Sequence, residues 1–155
     1  MQLFPLKILS FFSGIFLLLI LSCTPGSCFE ETEALVKASM YESSTGKLAA
    51  PDSVTLFGID KAADKIYNKN PGVKQALLPL DPVHENCSFI IRINGITDTL
   101  TFTYTSYPHF ISKECGYTYY FTIDQPLATD NIIDRIIITK RTITHKSEEN
   151  LRIYY

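Results

Sequence analysis

The sequence contains no tryptophan, no excess of either charge and no apolar run long enough to cross a bilayer. Its 14 basic and 16 acidic residues give a formal net charge of −2, which argues against a nucleic-acid-binding protein. The lack of tryptophan weakens the case for a sugar-stacking surface. The longest apolar stretch, residues 8–22, is shorter than the roughly 20 residues that a membrane-spanning helix needs.

This apolar stretch has the pattern of an export signal. One cation, Lys7, precedes it, and the small residue Ser22 ends it. Residues 20–23, Ile-Leu-Ser-Cys, resemble a bacterial lipobox, so we expect cleavage after Ser22 and a diacylglycerol on Cys23. The alternative is a plain secretory signal cleaved nearby, which leaves a soluble protein. We therefore divide the chain into a signal peptide (1–22), a lipidated tether (23–32) and a folded domain (33–155).

Three further cysteines, Cys28, Cys87 and Cys115, would then lie in an oxidising compartment, where disulfides persist. Cys28 lies on the tether and Cys115 precedes Gly116 in a predicted turn, whereas Cys87 points to the apolar face of a predicted strand. We predict a disulfide between Cys28 and Cys115 and a free Cys87. The cysteines and histidines form no close pair typical of a zinc site, so we expect no metal and no cofactor.

The strongest local signal is a β-hairpin centred on Asn94-Gly95, the dipeptide favoured in two-residue hairpin turns. A fixed turn also fixes the register, and this one places Ile93 opposite Ile96. Both strands then direct their apolar residues to one face, with Asp98 as the exception.

Other short runs with strand patterns are separated by turn residues. They occupy residues 34–41, 54–58, 117–124, 132–139 and 150–155, while residues 60–72 are predicted to form a loop. Seven or eight short strands favour an all-β fold, an antiparallel β-sandwich of immunoglobulin-like or similar type. A small β-barrel is the alternative.

Two rows of side chains are candidate binding surfaces. Threonines at alternate positions from 97 to 105 most simply form a solvent-facing strand side. The tyrosines Tyr104, Tyr107, Tyr117 and Tyr120 are a possible ligand surface, although aromatic residues at alternate strand positions also fill cores.

No nucleophile elbow, phosphate-binding glycine loop or zinc helix occurs, and we expect the protein not to be an enzyme. A hydrolase remains an alternative if a Ser or Asp lies within hydrogen-bond reach of His84, His109 or His145 in a pocket.

Several segments together carry a family resemblance. They are residues 54–59, 77–82, 97–104, 110–117 and 148–153, and the Thr-Asp-Thr-Leu and Cys-Gly stretches are the most specific. In these segments the chain resembles a family of small uncharacterised lipoproteins from Bacteroidota, described only as a domain of unknown function. The resemblance implies a lipid-anchored β domain with a cysteine shortly after the acylated one, which agrees with separate roles for Cys23 and Cys28. The resemblance implies no particular biochemical activity.

These features predict a lipid-anchored protein of the cell envelope. We expect a non-catalytic interaction or structural module, attached to the outer membrane through diacylglycerol on Cys23 and working with an envelope protein rather than nucleic acid. The residues after Cys23 are Thr-Pro-Gly-Ser rather than acidic, which favours the periplasmic side over the cell surface. The alternative function is a ligand- or glycan-binding lipoprotein.

Overall fold

A computed structural model describes residues 28–155, so Cys23 and the predicted signal peptide lie outside the described part of the chain. Residues 28–155 contain eleven strands and no helix. The strands are β1 (Leu35–Tyr41), β2 (Val54–Gly58), β3 (Tyr67–Asn70), β4 (Gln75–Pro79), β5 (Asn86–Ile93), β6 (Ile96–Ser112), β7 (Gly116–Ile123), β8 (Leu127–Ala128), β9 (Arg135–Ile138), β10 (Thr142–Ile143) and β11 (Leu151–Tyr154).

The strands form two sheets. The smaller sheet has the order β4-β1-β11-β9, and the larger has the order β10-β7-β6-β5-β2-β3, with β8 beside β6. β6 pairs with β5 through its first half and with β7 through its second. One of the two sheets is curled into a half-barrel. The predicted all-β class, a sandwich or small barrel, is confirmed.

The predicted hairpin is confirmed residue by residue. Ile93 lies opposite Ile96 and Phe89 opposite Leu100, as the Asn94-Gly95 turn requires. Both turn residues have positive φ, 50° and 90°, which is the backbone shape of a type I′ turn.

The central strand pair of the smaller sheet differs from the predicted antiparallel arrangement. β1 runs parallel to β11, with Ala38 opposite Leu151. This pair joins the first and last strands in chain order, and a contact so distant in sequence leaves no local pattern. The other strand pairs in residues 28–155 are antiparallel.

Four strands were not predicted, and one predicted loop is wrong. β3 lies inside the predicted loop at 60–72; its sequence Tyr-Asn-Lys-Asn is largely exposed and forms a strand through irregular pairing with β2. The others are β4, β8 and β10, and β8 and β10 have only two residues each. The predicted strand at 132–139 begins at Arg135, because residues 131–133 instead bind Asp98 through their backbone.

The core lies between the two sheets. The smaller sheet contributes Val36, Ala38, Met40, Leu78 and Ile153, and the larger contributes Leu56, Ile91, Leu100, Phe102 and Ile123. All of these side chains are almost wholly shielded from solvent. The alternation predicted for the hairpin is therefore the inner face of the larger sheet.

Candidate functional site

The far end of the β6–β7 hairpin is a two-stranded ribbon. β5 pairs with β6 up to Thr103, and β10 pairs with β7 at Phe121 and Thr122. We call residues 107–120 the hairpin tip. Within the described residues, no further strand pairs with the outer edges of this segment. A two-stranded ribbon is marginally stable alone, so its stability depends on attachments to the rest of the chain.

A disulfide provides the main attachment. Cys115 lies in the turn that joins β6 to β7, and it is bonded to Cys28, with their Cα atoms 4.8 Å apart. The Thr118 hydroxyl also donates a hydrogen bond to the carbonyl of Thr32. The predicted Cys28–Cys115 pairing is confirmed, Cys87 is free, and residues 28–32 lie along the hairpin tip.

One face of the hairpin tip exposes aromatic rings. Phe110 lies opposite Tyr117, with ring centroids 5.2 Å apart, and Tyr119 follows on the same face. Their exposed fractions are 48 % for Phe110 and 72 % for Tyr117. Phe29, next to the disulfide, is 93 % exposed. Exposed aromatic groups of this density are typical of a contact surface.

The opposite face is packed and partly polar. Tyr120 stacks on His109, with ring centroids 4.1 Å apart, and its hydroxyl hydrogen-bonds to Nδ1 of His145. Tyr107 meets Tyr120 edge-on, and burial raises the pKa of the Tyr120 hydroxyl. This face supports the tip and leaves mainly Tyr107 accessible.

The four candidate ligand tyrosines do not form one surface. Tyr104 is 1 % exposed in the core, where its hydroxyl donates to the carbonyl of Asp81 (2.9 Å) and accepts from its N–H (3.1 Å). Tyr120 is also buried, at 6 % exposure. Tyr107 and Tyr117 are exposed but lie on opposite faces of the tip. The alternation of Leu100, Phe102 and Tyr104 was the sequence signal that places Tyr104 in the core.

A separate open cleft of about 730 Å³ lies between the end of β2, the end of β4 and the start of β5. Two of its lining groups are hydrogen-bonded, since Oδ2 of Asp81 lies 2.9 Å from Nδ1 of His84. Oδ1 of Asp81 accepts the Val83 N–H at 2.9 Å. The Val83 bond and then the His84 bond hold the pKa of Asp81 below its ordinary value.

This cleft contains an Asp–His contact of the kind that the hydrolase alternative requires. The Cys87 thiol beside it is not an activated nucleophile. Burial raises the pKa of Cys87, which also lines the cleft, to about 11, so the thiol is protonated at neutral pH. The Ser88 hydroxyl shares a hydrogen bond with Thr101 (2.9 Å). Sequence analysis named His84 but not Asp81, although a carboxylate three residues before a histidine in a turn is a visible signal.

Two wider features of residues 28–155 bear on function. No group of three or more His, Cys, Asp or Glu side chains in this part of the chain is arranged to hold a metal ion. No helix in the same residues is long and apolar enough to cross a membrane.

Comparison with known proteins gives one match. No curated protein and no solved structure matches the chain. The matching family model is described as a family of unknown function, DUF6452, and it covers residues 53–155. That range runs from just before β2 to the end of β11 and omits β1. The predicted resemblance to an uncharacterised domain is thereby confirmed, and the chain belongs to the DUF6452 family of unknown function.

Proposed function

We propose that this protein is a lipid-anchored component of the cell envelope, held by acyl chains on Cys23, whose β domain is a non-catalytic interaction module. The observation that carries the proposal is the Cys28–Cys115 disulfide. It fixes a residue only five positions after Cys23 to the hairpin tip. The predicted anchor is therefore close to a surface that exposes aromatic groups.

The disulfide supports export independently of the signal sequence. Structural disulfides form and persist in oxidising compartments, and they are rare where glutathione and thioredoxin keep thiols reduced. An anchor on Cys23 would bear more than one acyl chain, which stable attachment to a membrane requires. The Thr-Pro-Gly-Ser sequence after Cys23 favours the periplasmic side of the outer membrane.

The interaction role rests on the contrast between the cleft and the hairpin tip. The cleft thiol of Cys87 is protonated at neutral pH, and the Asp81–His84 pair is open to solvent. The tip instead presents Phe110 and Tyr117 on a ribbon tied down at its turn. A fixed, exposed aromatic surface suits binding to another molecule better than chemistry on a substrate.

The test compares the native protein with Cys23→Ala. We expect the native protein to sediment with membranes and its mass to include a diacylglyceryl group, whereas the variant is released in soluble form. Crosslinking in intact cells, followed by affinity capture, then identifies any envelope protein bound only to the lipidated form. A native protein that lacks the lipid mass and fractionates like Cys23→Ala would refute the anchor.

A second candidate function, binding of a small ligand or glycan, is favoured by the open cleft. A volume of about 730 Å³ lies within the range of ligand pockets, and the lining combines apolar groups with Lys61, Asp81 and His84. A thermal-shift screen of glycans and small molecules tests this role. A hit should be lost in His84→Ala, an exposed substitution, and retained in Tyr117→Ala at the hairpin tip.

A further inference from the structure

We propose that the hairpin tip, together with Phe29, is a foot that rests on the lipid bilayer carrying the Cys23 anchor. The contact group consists of Phe29, Phe110, Tyr117 and Tyr119. This proposal deepens the proposed function and rests on lipidation of Cys23.

The first observation is where the exposed aromatic residues lie. Within residues 28–155, the exposed phenylalanines and tyrosines are Phe29, Tyr107, Phe110, Tyr117 and Tyr119. All five belong to the hairpin tip or to the residue next to its disulfide. The exposed large side chains elsewhere, such as Leu127 and Val83, are aliphatic. The aromatic surface is therefore confined to one end of the domain.

The second observation is the length of chain between this end and the anchor. Five residues separate Cys23 from Cys28, and five extended residues span at most about 18 Å. The disulfide prevents Cys28 from leaving the turn at Cys115. The aromatic end thus has to stay close to the bilayer in which the acyl chains are embedded, whereas the opposite end of the larger sheet is free to point away from it.

The chemistry of the contact group suits the membrane interface. Tyrosine and other aromatic side chains concentrate at the boundary between headgroups and acyl chains. Surface-bound segments bury their apolar face about 5–10 Å into this boundary. Phe110 and Tyr117 are direct neighbours on one face, so both rings can enter the boundary together.

The charges around the foot define which lipids it suits. Glu30, Glu31, Glu33 and Glu114 are all exposed. The cations near them are the exposed Lys113 and the buried Lys37, so the surface is acidic. Attraction to anionic headgroups therefore does not drive the contact. We expect contact with zwitterionic bilayers that depends on the aromatic groups and that salt does not weaken.

Because the sequence contains no tryptophan, a single introduced tryptophan reports on its own position. The probe is Tyr117→Trp and the matched control is Leu127→Trp, both at exposed sites. Their β6 partners, Phe110 and Thr101, lie nine residues apart, about 30 Å along the strand. Each lipidated full-length protein is reconstituted into phosphatidylcholine vesicles brominated on the acyl chains near the headgroup.

We expect the Tyr117→Trp protein to shift its emission to shorter wavelength and to lose most of it to bromine quenching, while Leu127→Trp changes little. Adding Phe29→Ser and Phe110→Ser to the probe protein should restore most of the emission. Replacing part of the lipid by phosphatidylglycerol should not increase the quenching.

The experiment distinguishes failure of the membrane contact from failure of the lipid anchor. If the protein carries the diacylglyceryl mass and floats with the vesicles, but both probes are quenched equally or not at all, the foot is wrong and the anchor stands. A blue shift of Tyr117→Trp in native membranes without quenching in vesicles assigns the tip to a protein partner and also overturns the foot. Absence of the diacylglyceryl mass overturns both proposals.

Discussion

Asp98 is the residue on which the greatest number of side-chain hydrogen bonds converge in the described part of the chain. It lies on the inner side of the larger sheet and is 1 % exposed. Its carboxylate accepts the backbone N–H groups of Asn131, Ile132 and Ile133 at 2.8–3.0 Å, and the Thr129 hydroxyl. One buried carboxylate therefore holds the loop that precedes β9.

Replacing Asp98 should be strongly destabilising. We expect Asp98→Ala to lower the free energy of unfolding by about 3 kcal/mol, because several backbone N–H groups lose their acceptor. Asp98→Asn, which keeps one carbonyl oxygen, should lose less. Urea denaturation followed by circular dichroism measures both variants. Equal stability of Asp98→Ala and the native protein would contradict this role.

Asp98 should also make stability depend on acid. Burial acts to raise the pKa of its carboxyl, but the bonds from Thr129 and residues 131–133 outweigh burial and hold the pKa below the ordinary value of 3.8. The stabilisation is therefore present above pH 3.8 and is lost as the pH falls through the lower pKa of the folded state. As the pH is lowered below 3.8, urea midpoints should fall more steeply in the native protein than in Asp98→Asn.

The free thiol of Cys87 should be unreactive. Burial raises its pKa from 9.0 to about 11, so at pH 8 the folded protein should react with iodoacetamide on the order of 100-fold more slowly than the unfolded chain. Peptide mass mapping follows the Cys87 peptide separately from other cysteines. Similar rates in buffer and in urea would show that burial does not suppress the reactivity of this thiol, which would contradict the prediction.

At the residue scale, sequence reasoning identified Asp98 but not its role. The hairpin register placed an acid on an apolar face, and that placement is confirmed. Its partners lie 31 to 35 residues further along the chain, so no local pattern linked them to Asp98. Two of them, Ile132 and Ile133, fall in the segment that was predicted to be a strand. Asp98 therefore stood out as an exception without an explanation.

At the scale of single elements, the Asn94-Gly95 turn fixes the longest continuous register in the fold. Gly95 has φ +90°, and no heavy atom lies close to the position of an added Cβ. Gly95→Ala should therefore cost about 1 kcal/mol or more through backbone strain alone. Gly58→Ala is the matched control, since it lacks positive φ and its Cβ would meet Lys61 at an ordinary 3.7 Å. Thermal unfolding measures both variants. If the midpoint temperature falls equally in Gly95→Ala and Gly58→Ala, backbone strain is not the cause.

The strands divide by how local their signals are. β5 and β6 were predictable because a turn dipeptide and two alternating apolar rows agreed. β3 was not predictable, because Tyr-Asn-Lys-Asn is largely polar and exposed and becomes a strand only beside β2. The parallel pairing of β1 with β11 depends on residues at opposite ends of the domain, which no local pattern records.

For the whole molecule, the Cys28–Cys115 disulfide closes a loop with a sequence separation of 87. We expect Cys115→Ser to lower the free energy of unfolding by about 3 kcal/mol, since the bond restricts the unfolded chain. Cys28→Ser should have the same effect, and the double variant should lose no more than either single variant. Urea denaturation of the native protein with and without reductant measures the same loss. Full stability after reduction would show that the bond is dispensable.

Only some of the candidate sites could be predicted from the sequence, and the reasons are physical. The disulfide followed from counting cysteines and asking which one was buried in a strand, and the structure agrees. The grouping of tyrosines failed because a strand has two faces, and Tyr107 and Tyr117 lie on different ones. The cleft could not be seen because it joins the ends of three strands that are separated in the sequence.

The parallel pairing of β1 with β11 also sets the order in which the domain can be completed. A chain that leaves the ribosome amino-terminus first presents β1 long before its partner β11 emerges. Until then Val36, Ala38 and Met40 have no finished core to enter, although they are fully buried in the native protein. The smaller sheet therefore cannot be completed until β11 has emerged and inserted between β1 and β9.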